Sequence, residues 1–407
     1  MGNPNPSSSE ASAPISIAEN SHPDALRIAR AKNATLVDEQ GKEYVDLHSG
    51  FGAAWLGHAN PEVGERIAEQ LQQVWLTGTL ETSVVVQARS ALDACVPPSH
   101  RTVVLYSTGM EAAELAIRIA RATTGRNELV GFAGGMHGKS LATAHLGWDN
   151  RDGLDLPLIH RLPFVDAEQE SDILARLDRL LAAGTIAAVF VEPIQASARG
   201  HRASPGFYRS LSERCRASRT LLVFDEILTG FGRTGPWFFF SDLGFTPDVV
   251  LVGKAMGGGF PVSAVVVHRD IAIEPRTLPS STYSNNPLAA AAVTATLELM
   301  RTIDLPARVA EIESIVKREL QPMTHGPQLR GQGALWIVEL PAGVETAAVA
   351  RRLLDRGVAV SFSGRIIRLL PAVTIELDRL AEACQAVAEE LGRACREAAG
   401  RPPTESC

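Results

Sequence analysis

Four short stretches of this sequence place polar groups directly after apolar runs, and between them they carry an amine, two carboxylates and a set of unpaired backbone N–H groups. Lys254 follows Val249-Val-Leu-Val-Gly253 and precedes Ala-Met-Gly-Gly-Gly-Phe-Pro261. An amine at the end of a buried strand loses hydration, which lowers its pKa toward the neutral form needed for Schiff-base chemistry. A surface-loop lysine is the commoner situation, but it leaves the glycine run unexplained, since glycine permits close approach of the backbone to a neighbour. Glu192 and Asp225 close two more apolar runs, Ala187-Ala-Val-Phe-Val191 and Leu221-Leu-Val-Phe224. One such carboxylate reads as a solvated strand end or a helix cap. Two at one sheet edge point to a site. Ser107-Thr-Gly-Met-Glu-Ala112 reads as a strand-to-helix turn whose free N–H groups and helix dipole suit a phosphate, although an ordinary N-cap by Ser107 or Thr108 explains it equally well when taken alone.

These groups can meet only if the strands preceding them lie side by side. Short apolar runs alternate with helical periodicity along the chain, the pattern of an α/β sheet with covering helices. Strands are predicted at Thr102–Tyr106, Ala187–Glu192, Leu221–Asp225, Val249–Val252 and Val262–Val267. Ala112, Leu115, Ala116 and Ile119 fall at i, i+3, i+4 and i+7, so a helix begins near Gly109. Pro287 starts a second helix that its periodicity carries to about Thr302. In open α/β sheets ligands sit beyond the carboxyl ends of the strands, which is where all four polar groups fall. From about Leu305 onward, amphipathic helices with short strands suggest a second, smaller domain.

The chain has 407 residues, 45% of them apolar, which is enough for a large core, and a formal net charge of -7 without a run of like charges. That balance argues against a nucleic-acid arm or a membrane patch. No apolar run reaches the length of a membrane span. Five scattered cysteines without a C-x-x-C pair suggest reduced thiols, no metal site and a cytoplasmic protein. The polar, Pro/Ser-rich start lacks the features of a signal peptide and reads as a disordered tail over 1–20. Gly134-Gly-Met-His-Gly-Lys-Ser140 and Leu221–Glu226 together imitate a P-loop nucleotide binder, but the loop needs a glycine where Ala133 stands.

Taken in order, the motifs resemble those of the class III aminotransferases, pyridoxal-5'-phosphate (PLP) enzymes of fold type I. The series runs Asp46-Leu-His-Ser-Gly50, Gly57-His58-Ala-Asn-Pro61, Ser107–Ala112, His137-Gly138, Glu192-Pro-Ile-Gln195 and Asp225–Gly235. It continues with Gly253-Lys254, Gly257–Pro261, Thr282, Asn286-Pro287 and Arg368-Leu-Leu-Pro371. The resemblance implies a large PLP-binding domain over 51–300 with a mostly parallel sheet, and a small α+β C-terminal domain over 301–407 with the segment 21–50 packed on it. It implies a ping-pong aminotransferase with Lys254 as the Schiff-base lysine, Asp225 on the pyridine nitrogen and Glu192 beside them. Phosphate binding falls to Thr108, Gly109 and Met110, with Thr282 reaching in from a second subunit, hence a homodimer. Arg368 is implied for the α-carboxylate of the amino donor, possibly glutamate.

Several positions depart from the family pattern. Met136 stands where an aromatic residue before His137 covers the cofactor ring, and a thioether can cover the same face. Lys139 replaces an arginine for the distal carboxylate of the donor, keeping the charge and losing the fork. Ser197 replaces a glutamate that masks the carboxylate-binding arginine, and Leu228 a glutamine that touches the cofactor's phenolic oxygen. Phe51 and Trp55 line the substrate entrance by analogy, with core packing as the alternative for each. The same resemblance also covers an aminomutase, a decarboxylase and racemases, and a non-catalytic relative would be expected to lack Lys254 or Asp225.

Overall fold

The computed structural model describes residues 26–148, 156–165, 169–279, 281–321 and 326–399; the tail expected over 1–20 lies outside them. Three short strands come first, β1 (Ile28–Lys32), β2 (Thr35–Asp38) and β3 (Glu43–Asp46). Seven more build the central sheet: β4 (His100–Tyr106), β5 (Glu128–Phe132), β6 (Ile159–Leu162), β7 (Ile186–Val191), β8 (Leu221–Asp225), β9 (Val249–Gly253) and β10 (Ser263–His268). Their spatial order is β4-β10-β9-β8-β7-β5-β6. Every neighbouring pair from β9 across to β6 is parallel, and β10 alone runs against both of its neighbours. The predicted α/β class with a mostly parallel sheet is therefore what the chain adopts, and the predicted strands agree with the observed ones to within two residues.

β7 and β9 are buried at every position. Helices cover both faces of a parallel sheet, so its strands are continuous apolar runs and do not alternate. The helix Gly109–Thr124 lies across the sheet on Ala112, Ala113, Leu115, Ala116 and Ile119, and its small side chains let the backbones approach. A capping box between Thr108 and Glu111 starts it, and Gly125 in the left-handed conformation ends it. The predicted helix at Pro287 runs to Met300, two residues short of the expected end, and is buried on nearly all sides. It packs against the helices Pro61–Leu71 and Ser83–Asp93.

Beyond residue 327 come β11 (Gln328–Gln332), β12 (Leu335–Glu339), β13 (Val358–Ala359), β14 (Ser361–Ser363) and β15 (Ile366–Leu369). Four of them form an antiparallel sheet in the order β11-β12-β15-β14, while β13 pairs in parallel with β3 and so ties the first strands to this part of the chain. Cys95, Cys215, Cys384 and Cys395 are free thiols. No helix among the described residues is long and apolar enough to cross a membrane.

One glycine in the central sheet tests the packing directly. A Cβ on Gly131 of β5 would lie 1.9 Å from the carbonyl oxygen of Leu146, which is backbone and cannot swing away. Gly131→Ala is expected to destabilise the protein by about 3 kcal/mol or more, as overpacking against a fixed backbone does. Denaturant unfolding measures it, and an unchanged midpoint would show that this contact does not exist.

Candidate active site

β4, β7, β8 and β9 end at one edge of the sheet, and a cavity of about 400 Å³ opens there. Lys254 lines it together with Ser107, Gly109, Met110, Met136, His137, Ile227 and the turn Gly259–Val262. Lys254 has a φ of +42°, a conformation that disfavours any side chain and that proteins tend to keep at working sites. The glycines after it have structural causes. A Cβ on Gly257 would meet Val262 at 2.6 Å, and one on Gly258 would meet Thr296 at 2.7 Å. Burial pushes the Lys254 amine below its usual pKa, and the Glu192 and Asp225 carboxylates oppose that shift only in part.

Asp225 is buried at the end of β8. One of its oxygens lies 2.8 Å from Nδ1 of His137 and the other accepts the Ile227 N–H at 3.1 Å. His137 is equally buried and sits edge-on to Phe190, so the ring expected to contact a cofactor also braces Asp225. Glu192 fixes the neighbouring loop: its carboxylate accepts the Met136 N–H at 3.0 Å and the Ala196 N–H at 3.3 Å. Gln195 adds a bond to the Ala133 carbonyl at 2.9 Å. Burial, reinforced by the charge of Asp225, pushes the Glu192 carboxyl up to about 7.

At the other end of the cavity the turn before the Gly109–Thr124 helix supplies N–H groups. The Glu111 carboxylate already accepts those of Ser107 and Thr108, at 3.1 and 2.9 Å, leaving those of Gly109 and Met110 open. A Cβ on Gly109 would lie 2.6 Å from Cδ1 of Ile227, which would have to move aside for it. Ser263 at the start of β10 donates to the Thr108 carbonyl at 2.6 Å and pins the turn to the sheet. No motif distinguished Ser263 in the sequence; only the antiparallel pairing of β10 brings it here.

Arg368 on β15 is buried, donates from Nε to the Ser361 hydroxyl at 2.9 Å, and has no carboxylate partner among the described residues. Phe51 stands beside it, 47% exposed, with its ring centre 5.7 Å from the guanidinium carbon. Trp55 does not share that position. It is fully buried under the Arg233 guanidinium at 3.9 Å, so core packing and not the entrance is its place. Lys139 is exposed with its amine 4.5 Å from the Trp148 ring centre, outside the cavity lining. Ser197 is half-buried in a turn, and Leu228 packs where a side chain on Gly52 would fall. Thr282 is exposed.

The model of the family described as aminotransferase class-III matches residues 16–391. The chain belongs to the class III aminotransferase family. Its relatives include the LysW-aminoadipate semialdehyde/glutamate semialdehyde transaminase of Sulfolobus acidocaldarius, 31% identical over 90% of this chain and 95% of the relative. The acetylornithine aminotransferase of Bacillus subtilis is 33% identical over 88% and 93%. The 2-aminoadipate transaminase of Pseudomonas putida is 33% identical over 89% and 94%. The protein is thus a PLP-dependent aminotransferase of fold type I. The cavity fits that cofactor: open N–H groups at Gly109 and Met110 suit a phosphate, Asp225 a ring nitrogen, and the Lys254 amine, which bonds to no other described side chain, a carbonyl carbon.

Glu226, next to Asp225, is fully buried and accepts the Thr229 hydroxyl at 2.5 Å and the Phe240 N–H at 3.1 Å. Burial pushes its pKa from 4.5 up to about 7. A carboxyl raised by folding stabilises the protein fully below its ordinary value, and that contribution is lost as the pH rises through the folded value. Stability should therefore fall between pH 4.5 and about 7 in the native protein, and Glu226→Gln should reduce that fall by on the order of 3 kcal/mol. Denaturant melts across the window measure it; identical pH profiles for the two proteins would contradict the assignment.

Proposed function

We propose that Lys254, Asp225 and Glu192 form the catalytic group of this aminotransferase, and that the enzyme draws its amino group from a carboxylate-bearing donor such as glutamate. The observation that carries this reading is the Lys254 amine in the cavity lining, within the field of the Asp225 and Glu192 carboxylates and of the buried Arg368 fork, which makes no ion pair among the described residues. When bound, PLP supplies a reactive carbonyl and a ring that stores electrons. A lowered pKa favours the neutral form of the Lys254 amine, whose Nζ would take the proton from the donor's Cα. Asp225, braced by His137, faces the ring nitrogen with a charge-assisted hydrogen bond. Glu192 holds the loop that carries Met136, which would cover the cofactor ring, while the open N–H groups of Gly109 and Met110, with Thr108 in the same turn, would hold the phosphate.

Arg368 receives the α-carboxylate through its planar fork. The compounds named for the relatives are amino acids, their derivatives or their semialdehydes, which agrees with a cationic receptor in this position. Lys139 is assigned to a distal carboxylate, Phe51 to the entrance, and Ser197 and Leu228 to the cavity's periphery. We take the enzyme to be a cytoplasmic homodimer in which Thr282 completes the partner's phosphate site. Supporting that, Thr282 lies beside the exposed Tyr283, and Asn286 a few residues on bonds to the backbone of Trp75, one of a group of exposed apolar side chains with Leu71, Leu76 and Leu80.

Borohydride treatment of the protein with PLP should attach the cofactor's mass to the peptide containing Lys254, and Lys254→Ala should abolish the label. Label on another lysine would overturn the site. For the donor, Arg368→Ala is expected to weaken every α-amino acid by about 2–3 kcal/mol in kcat/KM, the range for a lost charged hydrogen bond. Lys139→Ala should weaken glutamate and spare alanine. An enzyme that ignores glutamate and accepts simple amines would refute the donor assignment and leave the PLP site standing.

A further inference from the structure

Arg233 is fully buried and carries its charge without a carboxylate partner among the described residues. Its guanidinium donates to three backbone carbonyls, those of Gly52 at 2.7 Å, Pro371 at 2.8 Å and Ala334 at 3.3 Å. The Arg233 carbonyl in turn accepts the Ala334 N–H at 2.9 Å, and the side chain is stacked over Trp55. Removing a charge from water is unfavourable unless something uses it, and an apolar side chain of the same volume would fill this space without that penalty. What an apolar side chain lacks is a fork that reaches three segments at once.

Those segments frame one place. Gly52 ends a run of four residues in the left-handed region, Ser49, Gly50, Phe51 and Gly52, with φ of +46°, +57°, +56° and +82°. Ser49 and Phe51 carry side chains, so the run is strained and persists only where its surroundings over-determine it. Its front is held by Asp46, which accepts the N–H groups of His48 and Ser49 at 2.8 and 3.0 Å and is itself bonded to His58 at 2.7 Å. Its back is held by Arg233. A Cβ at Gly52 would lie 2.7 Å from Leu228 Cδ1 and 3.3 Å from the guanidinium, and its φ of +82° itself favours glycine, so turn and guanidinium are in close contact. Pro371 leaves the strand that carries Arg368, and Ala334 enters β12, where Ile337 pairs with Arg368.

We propose that Arg233 is a positioning residue that clamps the strained turn 49–52 against the strand carrying Arg368, so that Phe51 forms a fixed wall beside the guanidinium that receives the substrate's carboxylate. The clamp rests on the reading of Arg368 given above. The clamp acts on carboxylate binding: none of its hydrogen bonds reaches Lys254, Asp225 or the phosphate turn, and what Arg233 exerts on Lys254 is its charge, which a lysine at 233 keeps.

The test compares the PLP-loaded native enzyme with Arg233→Lys, His58→Ala and Arg368→Ala. The quantities read are KM and kcat for glutamate, the inhibition constant of glutarate, which has both carboxylates of glutamate and no amine, and the cofactor absorbance. Lysine keeps the charge at 233 but cannot span three carbonyls. Arg233→Lys should raise the glutamate KM and the glutarate constant together by about tenfold, with kcat reduced less than about threefold and the cofactor retained, the pattern of lost uniform binding. His58→Ala, at the other end of the turn, should act in the same direction by about threefold, and it decides the matter alone if Arg233→Lys fails to fold. A fall in kcat at unchanged KM, no change in either variant, or loss of cofactor sufficient to account for the defect would each overturn the clamp. If Arg368→Ala leaves glutarate binding unchanged, the carboxylate site itself is misassigned. If it weakens glutarate and the two clamp variants do not, only the clamp fails.

Discussion

Parallel strands start together and end together, and the site depends on that more than on any single contact. β7, β8 and β9 come from separate parts of the chain, yet hydrogen bonding in parallel register brings Glu192, Asp225 and Lys254 to one edge of the sheet, and β4, set in the same direction by the two antiparallel pairings of β10, adds Ser107. At the end of β4 the N–H groups of Gly109 and Met110 have no hydrogen-bond partner among the described residues, so the same edge offers N–H donors as well as side chains. β10, the reversed strand, begins at that edge and so adds Ser263 to the turn that holds Thr108.

Glu192, Asp225 and His137 are buried at that edge, and the charges gathered there regulate one another. Burial lowers Lys254 and raises Glu192, and each carries in its surroundings the charge that opposes its own shift. Glu192 spends its lone pairs on backbone N–H groups, which makes it an anchor for the Met136 loop as well as a charge near the amine. Arg233 and Arg368 bring positive charge from the far side and both disfavour a protonated lysine. An anionic substrate entering this field meets the Arg368 guanidinium and an amine whose protonated form its surroundings disfavour.

The sheet and its helices were legible in the sequence because their signals are local. Continuous apolar runs mark strands buried on both faces, and the 3.6-residue period after an N-cap at Ser107 or Thr108 marks the helix that begins at Gly109. The residues that end those runs were legible for the same reason. What was hidden is everything set by side-chain direction and by partners distant in sequence. Trp55 sits in the entrance motif but faces inward under Arg233, and Lys139 follows His137 and Gly138 but lies over Trp148. Arg233 lay in plain view within its glycine-rich motif, yet its partners are carbonyls at 52, 334 and 371, which carry no residue signature. The glycines after Lys254 were read as permitting close approach, and the neighbours they admit are Val262 and Thr296.

Because one guanidinium joins positions 52, 334 and 371, substitutions near any of these should not act independently on substrate choice. Residues that share a partner couple energetically, and the effect of one change then depends on the others already present. A new substrate preference would have to be reached by combinations drawn from three distant stretches of sequence, many of whose single steps are unfavourable. Arg233 thus makes the carboxylate end of the cavity slow to diversify, whereas Lys139, which rests on Trp148 at the surface and shares no partner with the clamp, is free to vary alone.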